Sequence, residues 1–146
     1  MNRRTLLHCT GALAATGLAG CIGGRADQPD DTPTNTPSDL RYSFTVSVRR
    51  CGNQENRADV TFGDGIVTVE GTTWGNNACY TGRLESVTYD DGTLTIQIDA
   101  VNAAEPGQAC AECISEIDYH GTVEVPSTPN EVVVIHRGET VATVSP

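Results

Sequence analysis

From Arg41 onward the apolar residues fall on every second position, the mark of strands with one face buried. Tyr42, Phe44, Val46 and Val48 form the first such stripe. Ala58, Val60 and Phe62 lead into Asp64-Gly65, and a two-residue turn there sets Phe62 opposite Val67 and Val60 opposite Val69, apolar against apolar. Asp91-Gly92 repeats the device, placing Tyr89 against Leu94 and Val87 against Ile96, with Ile98 continuing the stripe. Leu84 stands three residues from Val87 instead of two, so the spacing predicts a bulge near Glu85-Ser86. Ile117, Tyr119, Val123 and Val125 form the next stripe; Val132 to Ile135 and Val141 to Val144 close the chain, with Gly138 marking the last turn. About eight short strands following one another as an up-and-down antiparallel meander predict an all-β domain, a β-sandwich, with an open β-barrel as the alternative.

The 40 residues before this pattern read differently. Arg3-Arg4 precede a mostly apolar run, Leu6 to Ala19, of 14 residues. A membrane-spanning helix needs about 20. The arginine pair and this run resemble the twin-arginine export signal, and Leu18-Ala19-Gly20-Cys21 resembles the lipobox in which a cysteine sulfur accepts a lipid. That resemblance implies removal of residues 1–20, His8 and Cys9 included, and a lipidated Cys21 as the new N-terminus. Residues 22–40 carry Pro29, Pro33 and Pro37 among Asp and Thr and have no apolar periodicity, which predicts a disordered stalk reaching up to roughly 60 Å when extended. The expected organisation is a signal peptide over 1–20, lipidated cysteine and linker over 21–40, and the sandwich over 41–146.

Those boundaries leave 146 − 40 = 106 residues for folding, enough for one modest core and too few for a multi-domain enzyme. Charge narrows the picture further. The chain has nine arginines, no lysine and 19 acidic residues, a formal charge of −10; without Arg3 and Arg4 it is 7 − 19 = −12. Nucleic acid is not expected as a partner, since nothing supplies the basic patch that phosphate contacts need. A lysine-free acidic surface is similar to that of proteins from salt-loving archaea, where salt screens the self-repulsion. Taken with the signal and lipobox, the chain resembles a small haloarchaeal lipoprotein exported by the twin-arginine route. The resemblance implies anchoring on the extracytoplasmic face of the cell membrane and a binding or envelope structural role toward an envelope protein or ligand.

The candidate chemistry lies in cysteine and histidine. In a meander, Cys51, Cys79, Cys110 and Cys113 all fall at one end of the domain. Such a cluster suits two disulfides, a tetrahedral metal site or a redox pair at Cys110-Ala111-Glu112-Cys113. Export favours disulfides, in any of three pairings. If Pro126 to Asn130 closes a hairpin, Val125 faces Glu131 and His120 faces His136, with Glu116, Asp118 and Glu124 on the same face as His120. That pair is a candidate zinc or copper site, set against an ordinary solvated face. Trp74, Tyr80 and the Gly75-Asn76-Asn77 loop lie at the cysteine end and offer a recognition surface. The sequence contains no Ser-His-Asp order, phosphate loop or acid pair, so neither a catalytic residue nor a cofactor is expected.

Overall fold

The computed structural model describes residues 40–146. Arg3, Arg4, Cys21 and the linker up to residue 39 lie outside the described residues. The eight strands are β1 (Tyr42–Cys51), β2 (Arg57–Phe62), β3 (Ile66–Gly75), β4 (Tyr80–Asp90), β5 (Thr93–Asn102), β6 (Ser115–Glu124), β7 (Glu131–His136) and β8 (Glu139–Val144). They form two four-stranded sheets, ordered β1-β6-β3-β2 and β4-β5-β7-β8. Their apolar faces meet in one core, so the architecture is a β-sandwich.

The local registers follow the side-chain period. β2 and β3 pair with Phe62 opposite Val67 and Val60 opposite Val69. β4 and β5 pair with Tyr89 opposite Leu94 and Val87 opposite Ile96, and a register shift between Leu84 and Ser86 keeps Leu84 opposite Ile98 on the inner face. Asp91 adopts φ 48° and Gly92 φ 79°, the left-handed pair that a tight two-residue hairpin turn requires.

The strand order departs from a meander. β6 lies between β1 and β3, and β7 lies parallel to β5 in the other sheet. The predicted β6–β7 hairpin does not form, because it would set Val132 and Val134 against Glu124 and Thr122. The chain instead crosses between the sheets, where Val132 meets Leu94 and Val134 meets Ile96, both fully apolar pairings. The second sheet is therefore mixed and not purely antiparallel. One stripe also needs correction: a bulge between Val46 and Val48 turns Val48 outward, 43% exposed, and sets Arg50 opposite Glu116 on the outer face.

Leu94, Ile96, Ile98, Ile117, Val132 and Val134 are fully enclosed, and every one comes from an inward stripe. Truncating Ile96 to alanine leaves a cavity between two sheets that cannot close over it, and should cost about 2–5 kcal/mol of stability. Val48→Ala should change it by about 0.5 kcal/mol or less. Urea unfolding of the two variants checks the assignment of inner and outer faces.

Candidate functional site

The cysteines sort into two disulfides. Cys51 at the end of β1 bonds to Cys113, and Cys79, just before β4, bonds to Cys110. Cys110 and Cys113 therefore take different partners, which replaces both the four-cysteine metal site and the Cys110–Cys113 redox pair. Backbone bonds from Gly52 N–H to Ile114 O, Ala78 N–H to Ala111 O and Ala103 N–H to Cys79 O reinforce the same connections. The segment that carries the chain from β5 to β6 is thus tied at one end of the sandwich to the strands of both sheets.

The two histidines are not a pair. On β6, His120 stands opposite Thr45 and Glu70 on the outer face of its sheet. His136 ends β7 in the other sheet and is completely buried, since Val132, Val134 and His136 share the inward period of that strand. Glu116 and Asp118 do share the outer face of β6, but they serve Arg50, which bonds to both carboxylates. Thr72 Oγ1 donates to Asp118 at 2.7 Å, and the Asn53 N–H donates to Glu116 at 3.0 Å. Partial burial works against the Asp118 carboxylate, but the bonds from Thr72 and Arg50 outweigh it and hold its pKa below the usual value. No group of three or more His, Cys, Asp or Glu side chains among the described residues is arranged to hold a metal ion.

His136 instead forms the centre of a buried hydrogen-bond chain. Its Nε2 lies 2.6 Å from the Tyr119 hydroxyl and its Nδ1 lies 2.6 Å from Asn56 Oδ1. An amide oxygen only accepts, so Nδ1 carries the proton and Nε2 accepts from Tyr119. Burial pushes the imidazole down to about 4 and raises the Tyr119 phenol, with help from the charge of Asp59. Both groups are neutral at ordinary pH. Gly71 makes room for this arrangement: a Cβ there would overlap the Tyr119 phenol and the Arg57 carbonyl.

Next to the chain is an open corner. Asn56, Trp74, Arg137 and Glu139 line a recess of about 280 Å³ at the end of the sandwich. Trp74 comes from the end of β3 and Asn56 from the loop before β2; Arg137 occupies the β7–β8 turn and Glu139 starts β8. The Arg137 guanidinium stacks 3.9 Å above the centre of the Trp74 ring. Arg137 holds φ 51° and Gly138 φ 84°, a turn whose first position favours Asn, Asp or Gly. Placing a long side chain in this left-handed conformation costs about 1–2 kcal/mol. The sequence marked Trp74 as a recognition residue but not its partners. Two signals pointed to them: His136 continues an apolar stripe, and Arg137-Gly138 stands where Asn-Gly is usual.

The domain is thus a two-disulfide β-sandwich with a preorganised polar corner. No protein-family model, curated protein or solved structure matches the chain.

The His136 imidazole must gain a proton when the protein unfolds in mild acid, because its unfolded pKa is about 6.5 and its folded pKa about 4. Its contribution is complete above about pH 6.5 and is lost as pH falls toward 4, a loss of about 3 kcal/mol by linkage. Asp118, with its depressed pKa, loses its contribution only below that window. Urea midpoints measured from pH 7.5 to 4 should stay level down to about pH 6.5 and then fall in the native protein, with a flatter slope in His136→Phe. Thiol titration of the denatured, unreduced domain should find none of the four sandwich cysteines free. Replacing Cys79 and Cys110 together by serine should cost about 2–5 kcal/mol in the same unfolding assay.

Proposed function

We propose that the protein is a membrane-anchored extracytoplasmic lipoprotein whose sandwich is a binding module. The Arg3-Arg4 signal directs export of the folded chain, Cys21 carries the lipid, and the linker holds the sandwich off the membrane surface. Two observations support this reading: the order of arginine pair, apolar run, lipobox and proline-rich linker, and the two disulfides, which are compatible with an oxidising compartment. The second supports the extracytoplasmic part of the reading independently of the signal residues; the lipid anchor rests on the lipobox alone. The acidic, lysine-free composition belongs to the same reading as an adaptation to high salt.

The role is binding or structural rather than catalytic. His136 is engaged on both nitrogens and closed to solvent, and His120 lies on the outer face of its sheet with its side chain open to water. What the domain presents outward is a rigid corner around Trp74 at its disulfide-tied end, the arrangement by which a fixed scaffold displays a recognition surface.

Substituting Cys21 by serine removes the proposed lipid acceptor. The variant should leave the membrane fraction, either shed or held as an uncleaved precursor. A processed Cys21→Ser product that still sediments with membranes would falsify the lipid anchor. Replacing Arg3 and Arg4 by lysine preserves charge and should stop export, with precursor accumulating in the cytoplasm; undiminished export would assign the chain to the general secretory route.

A further inference from the structure

We infer that the corner formed by Asn56, Trp74, Arg137 and Glu139 binds a carboxylated sugar, its carboxylate on Arg137 and its hydroxyls on Asn56 and Glu139. The inference deepens the reading of the sandwich as a binding module and does not depend on the lipid anchor.

Three features point to this chemistry. First, Arg137 is the arginine held on an aromatic ring. Arg50, Arg57 and Arg83 are each paired with carboxylates, whereas Arg41, Arg49 and Arg137 are not, among the described residues. Among the described residues Arg137 makes no ion pair; it stacks on Trp74 and donates a long 3.5 Å bond to the Trp74 carbonyl. A stacked guanidinium keeps its edge available, and that edge matches a planar carboxylate bidentately. Second, the donors are fixed in advance. Asn56 Oδ1 accepts the proton of buried His136, so its amide NH2 cannot turn inward and has no partner among the described residues. Third, the half-buried Trp74 holds the guanidinium in place from below, while the Glu139 carboxylate on the rim of the recess accepts from hydroxyls. A recess of about 280 Å³ is small for a ligand pocket and holds one hydroxylated ring. The charge of the ligand is limited too: Glu139 and the net charge of −10 oppose a phosphate dianion more than a single carboxylate.

Trp74 is the only tryptophan, so its fluorescence reports this corner alone. The full-length protein, purified from whichever fraction retains it, is titrated at fixed salt with D-glucuronate, methyl β-D-glucuronide, D-glucose and alanine. Glucuronate should change the emission saturably and bind at least tenfold more tightly than glucose or alanine. The methyl glycoside distinguishes the source of the ligand: equal binding marks a terminal glycan residue, and binding of the free acid alone marks a free sugar acid. Arg137→Asn should weaken glucuronate at least tenfold while leaving the melting temperature unchanged or higher, since Asn suits the left-handed turn. Arg137→Gln, which keeps the length of the side chain, should also lose the response. A flat titration with glucuronate, an equal response to glucose or alanine, or retained binding in the Arg137 variants would overturn the proposal.

Discussion

Tyr119 and His136 meet across the interior of the sandwich, one from each sheet, and the hydrogen bond between them is the constraint on which much else depends. A hydroxyl or an imidazole moved out of water without a partner costs several kcal/mol, so two such groups in one core are tolerated only when each satisfies the other. Their bond specifies how the sheets face one another more closely than the aliphatic contacts around it, which adapt to small slips. It also requires a glycine at position 71, because the Tyr119 phenol occupies the space of a side chain there. The second imidazole nitrogen needs an acceptor, and Asn56 supplies one from the loop between the two outer strands β1 and β2. A polar requirement inside the core therefore fixes a side chain at the rim.

The disulfides act on the other large liability of this topology. The pairings of β1 with β6 and of β5 with β7 join residues far apart in sequence, and such contacts carry a high loop-closure cost. Cys51–Cys113 closes a separation of 62 residues and Cys79–Cys110 one of 31. Each removes unfolded-state entropy equivalent to about 4 kcal/mol in the chain-entropy account. Both attach to the segment linking β5 to β6, which carries the chain from one sheet to the other. In a domain with few aromatic residues and a core built largely from valine and isoleucine, this constraint adds to what burial alone supplies.

The elements and their hairpin registers were legible in the sequence because they are local. A two-residue turn leaves one pairing that keeps Val60 with Val69 and Val87 with Ile96, and even the bulge after Leu84 follows from counting. Strand order was not legible. An alternating stripe such as that of β6 fits beside any other, and nothing in its own residues selects β1 and β3 as neighbours. Placing the four cysteines at one end survived this error, since it depends on the direction in which each strand runs and not on which strand lies beside it. The histidine pair did not survive, because it rested on a hairpin between β6 and β7. The residues argued against that hairpin: it set Val132 and Val134 against polar partners, while the stripe Val132, Val134, His136 placed His136 inward. Disulfide pairing and the stacking of Arg137 on Trp74 depend on strand order and on contacts between sheets, which no local pattern encodes.

Arg50, Arg57 and Arg83 each find a carboxylate, but Arg137 is stacked on an indole instead. The β7–β8 turn decides where its side chain lies. Its left-handed conformation sets the side chain across the end of the sandwich, over the indole of Trp74 and beside an Asn56 already fixed by the core. Stacking returns about 0.5–1 kcal/mol at an exposed site, less than the 1–2 kcal/mol cost of the backbone conformation. Folding energy alone would therefore favour Asn at this position. The conflict between local preference and observed residue falls where the buried Tyr119–His136 chain reaches the surface through Asn56, so a constrained part of the core underlies the strained turn at its rim.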